Sequence, residues 1–344
     1  MKNRVLMEDV QQFAEQFELF EQLRGKSFLI TGATGLIGSV MVRCLLELNR
    51  QKQLGIHIVA IVRNNEKAKR VLADDYKEID VMHIPLSGIS QDAIRTKVNY
   101  IIHLACPTES IYFVEHPVET LRTAIDGTTS VLEFAKYANV EAMVYTSSLE
   151  VYGRNMTNEW INENFQGYVN PIEVRSSYNI SKRACECLCH AYAQEYGVNV
   201  IIARLTQTFG AGIALSDNRV FAQFARKAID GKDIELHTTG ELSRPYCYTT
   251  DAVSAILYLL IKGERGEAYN VANKDSYISI RDMAEMIKER FNPNINVIFA
   301  PKDSLGYAPP TKLRLDTHKI ESLGWKPKMG LKAMYTKLFD YMKP

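Results

Sequence analysis

The stretch Phe28–Gly38, FLITGATGLIG, constrains the fold more than any other part of the chain. Three glycines, Gly32, Gly35 and Gly38, follow directly on an apolar run and open a helical pattern. In that setting each has its own reason. Gly32 permits a tight turn, Gly35 lets backbone amides approach a pyrophosphate, and Gly38 lets helix and strand pack closely. The amino end of the helix, with Thr34, Leu36 and Ile37 beside the glycines, favours negative phosphates. The stretch reads as a dinucleotide cradle.

Such a cradle needs strands and crossover helices around it, and the chain supplies them. Short β-rich runs are expected at Ser27–Thr31, His57–Val62, Tyr100–Leu104, Ala142–Ser147 and Asn199–Leu205. Helical patterns lie between most of them, at Gly38–Asn49, Val118–Ala138 and Ser181–Tyr196. Strands alternating with helices imply a doubly wound parallel sheet. From about Thr206 the rhythm gives way to a region rich in Gly, Pro and Tyr. Ligands of such sheets bind beyond the carboxyl ends of the strands, so this later portion is the expected substrate lid. Ahead of the cradle, residues 8–23 space Val10, Phe13, Phe17 and Phe20 along one helical stripe. The polar side of that stripe is acidic, so docking on the body or on another subunit is expected rather than membrane binding.

Composition excludes several classes. The 344 residues are 46% hydrophobic and 24% charged with a formal net charge of +1, an ordinary globular profile. That balance offers nothing to nucleic acid or to an anionic membrane. No apolar run nears the ~18 residues of a membrane span. The first residues carry acids and lack a cleavage site, so a cytoplasmic address is expected. Of six cysteines, Cys185, Cys187 and Cys189 form CECLC, but inside a helical run without finger-like partners, so no metal is expected.

Arg63 ends the second strand. An acid there would accept hydrogen bonds from a ribose 2′-hydroxyl, whereas an arginine pairs with a 2′-phosphate. The cofactor is therefore NADP or NAD, with Arg63 favouring NADP. Further on, YNISK sets Tyr178 and Lys182 four residues apart, on one face of a helix. A phenol is a poor base at neutral pH, but a neighbouring ammonium and an oxidised nicotinamide would lower its pKa. Lys182 would also hydrogen-bond the nicotinamide ribose.

Taken together, TGATGLIG (31–38), HLAC (103–106), TSSLEVYG (146–153), YNISK (178–182), RLTQTFGAG (204–212) and SRPYCYTTD (243–251) resemble the extended short-chain dehydrogenase/reductases of the nucleotide-sugar epimerase/dehydratase group. The resemblance runs from Lys26 to the carboxyl end. It implies an α/β fold, a Rossmann-like doubly wound parallel sheet with a smaller C-terminal α/β substrate domain. The divisions expected are an N-terminal helical extension at 1–25, a dinucleotide-binding domain at 26–205 and an interleaved nucleotide-sugar domain at 206–344. It implies hydride abstraction at sugar C4, with Tyr178 taking the hydroxyl proton and Ser148 sharing its hydrogen bond. Leu104 and Ala105 would border the cofactor, and a homodimer is typical.

Within that group the chain is most similar to UDP-glucuronate decarboxylases, through HLACPTESIYFVEHPVETL, VNPIEVRSSYNISKR, DNRVFAQF and SRPYCY. Carried over on that resemblance, Glu150 is the active-site carboxylate, Pro107 borders the substrate, Arg244 faces the sugar and Arg219 approaches its diphosphate. Oxidation at C4 would make a ketone β to the C6 carboxylate, which then leaves as carbon dioxide.

The chain departs from the decarboxylase pattern at several points. Leu149 stands where a serine is usual, and where 4,6-dehydratases keep an acidic aspartate. Arg63 replaces an acid, Gln207 an asparagine, and Ala124 a common asparagine. HIPLSG (83–88) lacks the aspartate usual near the adenine. Three alternatives follow: an NADPH-dependent reductase of a keto-sugar nucleotide, with Tyr178 as acid; a C4 epimerase; and a protein that senses NADP(H) without turnover.

Overall fold

Apolar side chains that alternate between two cores build the central layer. The computed structural model describes residues 3–90, 92–108, 110–301 and 310–343. Strands β1 (Ser27–Thr31), β2 (His57–Val62), β3 (Asp80–His83), β4 (Tyr100–His103), β5 (Ala142–Ser148) and β6 (Val200–Leu205) lie parallel. Phe28 and Ile30 of β1 enter one apolar cluster while Leu29 enters the other. Val144 and Met143 divide in the same way, as do Ile201 and Ile202. Successive strand side chains point to opposite faces, so a strand covered on both sides reads as continuously apolar.

The sequence expectation holds at Ser27–Thr31 and His57–Val62, and the other three strands shift by one residue at an end. It omits β3. That strand lies at the sheet edge with none of its four residues fully buried, so it carries no apolar run to read.

Beyond β6 come β7 (Gln207–Phe209), β8 (Ser243–Tyr248), β9 (Ala268–Val271) and β10 (Asn273–Ser279). Strand β9 pairs with β6 and completes a sheet of order β9-β6-β5-β4-β1-β2-β3 among the described residues. The order reverses between β1 and β4, which is where a ligand crevice opens in this architecture. Strand β8 joins β7 and β10 in a separate small sheet.

The helices used below are α1 (Arg4–Gln16), α2 (Leu36–Lys52), α3 (Asn65–Leu72), α4 (Pro117–Tyr137), α5 (Ser176–Tyr196), α6 (Val220–Ile229), α7 (Thr249–Lys262), α8 (Ile280–Phe291) and α9 (Leu331–Met342). Helices α1, α2 and α7 cover one face of the core sheet, and α4 and α5 the other. A third cluster, with Phe209, Phe221, Tyr246, Met283 and Tyr335, joins β7, β8, α6, α8 and α9 into a second region, the cap. Helix α5 starts five residues ahead of the expected Ser181, which brings Tyr178 into the helix.

The helix expected over 8–23 is shorter and starts earlier. The Asn3 side chain caps α1 by accepting from the Val5 and Leu6 amides. Helix α1 ends at Gln16, and a single 3₁₀ turn follows at Phe20–Leu23. The bend lets Phe17 stack on Phe13 at 5.3 Å and meet Tyr258 edge-on at 5.9 Å. In α5, Cys185 and Cys189 are buried and Cys187 is exposed. Among the described residues, no group of three or more His, Cys, Asp or Glu is arranged to hold a metal ion.

Candidate active site

The three glycines of the β1–α2 turn differ in what holds them. Gly32 has φ +72°, and a Cβ there would lie 2.8 Å from the Ala105 amide nitrogen and from the Leu104 carbonyl carbon. A Cβ on Gly38 would lie 2.2 Å from the Gly32 oxygen. Both positions exclude a side chain by contact with the chain's own backbone. Gly35 has no such neighbour, since its Cβ would come no nearer than 3.4 Å to anything, at φ −81°. Its bareness therefore keeps open the space in front of α2. That helix begins there with no side-chain cap and no acid in its first turn. Helix starts leave their first amides unpaired, so those of Leu36 and Ile37 face the opening as donors. Donors, positive helix end and cleared space fit a pyrophosphate.

Arg63 lies just past β2 on the same crevice side. It is exposed, and its guanidinium has no hydrogen-bond or ion-pair partner among the described residues. His83 Nε2 meets the Arg63 carbonyl at 3.0 Å, and Asn64 caps α3.

Deeper in, β5 delivers Ser148 and α5 delivers Tyr178 and Lys182. Tyr178 is 8% exposed and stacks on Phe113 at 4.2 Å. The Lys182 ammonium lies 5.8 Å from the Tyr178 ring centroid and donates to the Thr146 carbonyl at 2.8 Å. Burial pushes the Tyr178 phenol up to about 12, against the lowering effects of the Lys182 charge and of a hydrogen bond with Ser148. The phenol is thus protonated at neutral pH in the protein alone. Burial pulls the Lys182 ammonium down, yet Cys106 and Tyr178 beside it hold it above its ordinary value.

Within reach of the Lys182 charge lies His103, the last residue of β4, immediately before the crevice loop that contains Leu104, Ala105 and the half-buried Pro107. Its imidazole bonds Thr31 at 2.7 Å and Thr128 at 3.2 Å. Thr31 in turn accepts from the Ala105 amide at 3.3 Å. Burial and then the Lys182 charge push His103 down to about 3, so it is a neutral strut.

Glu150 sits on the 3₁₀ turn Leu149–Tyr152, where its amide donates to Ser148 Oγ at 3.2 Å. Its carboxylate meets Arg244 Nη1 at 3.4 Å. Asn179, next to Tyr178, donates to the Glu150 carbonyl at 2.7 Å and to its carboxylate at 3.4 Å. Sequence reasoning does not reach Asn179, although it lies inside the YNISK signal, because the spacing argument concerns only Tyr178 and Lys182. Arg244 is 9% exposed, and its Nε is buried without an acceptor among the described residues. Leu149 points into an apolar cluster with Val151, Tyr152 and Ile161.

The structure thus gathers Ser148, Glu150, Tyr178, Lys182 and Arg244 on one wall. Arg219 bonds none of them among the described residues. Its guanidinium grips Asp217 through Nε at 3.0 Å and Nη2 at 2.5 Å. Burial would raise the Asp217 carboxyl, but the Arg219 bonds hold it below the usual range.

Comparison with known proteins gives this arrangement a family. Residues 28–272 match the NAD dependent epimerase/dehydratase family. The chain belongs to that family. It is accordingly an NAD(P)-dependent enzyme of the nucleotide-sugar epimerase/dehydratase group. It is 32% identical over 318 residues to UDP-glucuronic acid decarboxylase 3 of Arabidopsis thaliana, covering 88% of this chain and 85% of that protein. It is 28% identical over 320 residues to UDP-glucuronic acid decarboxylase 1 of Danio rerio, covering 92% and 72%.

Among solved structures, UDP-glucose 4-epimerase of Thermotoga maritima superposes with a TM-score of 0.77 at 22% identity, over 92% of this chain and 98% of that one. DesIV, a dTDP-glucose 4,6-dehydratase of Streptomyces venezuelae with NAD bound, gives 0.75 at 22% identity over 92% and 96%. These likenesses bear out the Rossmann-like α/β fold. No helix among the described residues is long and apolar enough to cross a membrane.

Proposed function

We propose that this enzyme oxidises a UDP-linked uronic acid at C4 and removes its carboxyl group, as a UDP-glucuronate decarboxylase does. Arg244 carries the reading. It is a guanidinium nine-tenths buried, fixed beside Glu150, with one N–H direction left without an acceptor among the described residues. A buried, unpaired, charged donor costs free energy until an anion meets it, and the arginine fork suits a carboxylate. Similarity to the named plant and fish decarboxylases supports the same reading.

Bound NAD would supply the hydride acceptor for C4 and return the hydride at the end of turnover. Gly32, Thr34, Gly35, Leu36, Ile37 and Gly38 would hold its pyrophosphate, with Leu104, Ala105 and Arg63 at the borders. Tyr178 acts as the phenolate, which the Lys182 charge and an oxidised nicotinamide would stabilise; it takes the C4 hydroxyl proton, sharing the hydrogen bond with Ser148, and becomes the phenol. Arg244 fixes the C6 carboxylate beside the new C4 ketone. Loss of carbon dioxide then leaves its bonding electrons in an enolate. Leu149 can return no proton, which leaves Glu150, steadied by Asn179, to pass a proton taken from solvent to C5. Arg219 would meet the diphosphate and Pro107 the sugar. Purified protein given UDP-glucuronate and NAD should release UDP-pentose and carbon dioxide without net reduced cofactor. No product under any cofactor condition removes the reading.

A second reading, an NADPH-dependent reductase of a keto-sugar nucleotide, has two observations of its own. Arg63 offers an exposed guanidinium where a 2′-phosphate would lie, and Tyr178 near 12 carries the proton that a reduction consumes. Mass spectrometry of cofactor released on denaturation separates the two. Retained NAD supports the internal cycle, and stoichiometric NADPH consumption with a keto-sugar nucleotide supports reduction. The resemblance to the family favours a homodimer through the α4–α5 helix pair, where Val118, Tyr137 and Tyr196 are exposed.

A further inference from the structure

The N-terminal helix α1 lies outside the chemistry described above, yet it carries a buried acid. Asp9 is 4% exposed on a helix face that otherwise buries Val5, Val10, Phe13 and Ala14. One carboxylate oxygen accepts from the Tyr248 hydroxyl, and the other pairs with Lys337 of α9 at 2.9 Å. A buried carboxylate is costly unless it is paired. Burial does push the Asp9 carboxyl above its ordinary range, despite both partners. An apolar residue would dock this helix at lower cost, so the acid is there for what it holds.

What it holds is a turn. The Tyr248 hydroxyl also accepts from the Ala211 amide, at 3.4 Å. A second relay starts from the cap of the same helix. Asn3 Nδ2 donates to the Tyr341 carbonyl at 3.2 Å, and the Tyr341 hydroxyl donates to the Ile213 carbonyl at 3.1 Å. Between these two anchors sits Gly212, at φ +99°. A Cβ on it would stand 3.6 Å from Leu6 of α1, 3.6 Å from Leu36 at the start of α2, and 3.2 Å from Val40. Gly210 lies flat against the Tyr248 ring, its Cβ position 2.6 Å from Cε2. The far end of α1 is tied as well, since Lys328 Nζ donates to the Gln16 carbonyl at 3.3 Å.

We infer that α1 is a positioning element for the 210–213 turn, and that Asp9, acting through Tyr248, is its principal positioning residue. The turn leaves β7, leans on the first residue of the cofactor-cradle helix and leads into Asp217 and Arg219. Fixing it sets the distance between the amino end of α2 and the segment that carries Arg219. Two hydrogen-bond relays from one helix converge on one turn, each through a tyrosine hydroxyl. The role assigned to Arg219 rests on the nucleotide-sugar reading; the positioning of the turn does not.

The test uses the full-length chain and two readouts. Amide hydrogen exchange, read by mass spectrometry, should speed up at least about fivefold in residues 207–219 of Asp9→Ala, with residues 27–52 unchanged. Calorimetric affinity for UDP should fall about tenfold in the same variant. Asp9→Asn, which can still accept from Tyr248, should recover most of both effects. Tyr341→Phe breaks the second relay alone and should give a smaller acceleration in the same segment, so the idea stays testable if Asp9→Ala does not fold. Unchanged exchange at 207–219 in both Asp9→Ala and Tyr341→Phe overturns the inference. So does a uniform rise across the chain, or an Asp9→Asn variant as impaired as the alanine. If the wild-type chain does not bind UDP, the nucleotide-sugar reading fails, and the exchange arm still decides the role of α1.

Discussion

The core sheet and the cap are built by different rules. In the core, each of the long strands splits its side chains between two apolar clusters, and the turn after β1 is dictated by backbone contacts that admit only glycine at Gly32 and Gly38. In the cap, strands of three to seven residues and short helices are gathered around Phe209, Tyr246 and Tyr335 by contacts distant in sequence. The core supplies the glycine cradle and the Tyr178–Lys182 pair. The cap supplies Arg244, to which the proposed reaction assigns the substrate carboxylate. In the proposed reaction, the redox step and the handling of the carboxylate therefore fall to parts of the chain with different structural constraints.

The sharpest way to probe the core is Tyr178→Phe. It keeps the ring on Phe113 and removes only the hydroxyl, so turnover should fall about 10²–10⁴-fold while NAD affinity stays within about threefold. Retained activity would take the acid/base role from Tyr178. The glycines come next. Gly38→Ala forces a methyl onto the Gly32 oxygen and should cost at least about 1–3 kcal/mol in denaturant unfolding. Gly35→Ala should leave stability within about 0.5 kcal/mol yet weaken NAD binding in calorimetry. Equal stability losses in the two variants would contradict the account of the cradle.

Smaller still is the effect of Arg63→Asp, which should shift the ratio of NADP to NAD affinity about tenfold toward NAD, as expected from one desolvated charge contact. An unchanged ratio removes Arg63 from cofactor choice. The last prediction concerns His103. Its folded-state value of about 3 lies below the ordinary value of 6.5. The unfolded chain therefore binds a proton that the folded one refuses. Its contribution to stability is complete above about pH 6.5 and drains as pH falls toward 3, by at most about 1.4 kcal/mol per unit. His103→Asn should flatten unfolding free energy between pH 5 and 7. A slope unchanged from the wild type would assign that dependence to other groups.

How much of this was legible in the sequence follows the same division. Strands β1 and β2 could be read to the residue, because burial on both faces leaves an unbroken apolar run bounded by polar residues. The edge strand β3 could not, because half its surface faces water. Helix α5 starts at Ser176, ahead of the Ser181 that the pattern predicts. Ser176, Ser177 and Asn179 are poor helix formers, and they are held helical because Ser177 and Asn179 bond the Phe113 carbonyl and Glu150. Strand β9 and helix α7 lie far along the chain yet belong to the core layer, which no local pattern announces. At the site, the spacing of Tyr178 and Lys182 puts them on one helix face, but it points to chemistry only in the context of the glycine turn and of TSSLEVYG. The pairing of Glu150 with Arg244, 94 residues apart, was reachable only through resemblance, and the buried Asp9 gave no signal in an amphipathic stripe of otherwise ordinary composition.

The central claim is that the cap arginine directs C4 oxidation toward loss of a carboxylate. The direct measurement is carbon NMR of the purified enzyme with NAD and UDP-glucuronate labelled with ¹³C at C6. The account predicts that the label leaves the sugar and accumulates as carbon dioxide and bicarbonate while a UDP-pentose forms, and that Arg244→Gln slows this release far more than it weakens NAD binding. Label that stays on the sugar throughout, or an Arg244→Gln enzyme that releases it at the wild-type rate, would contradict it.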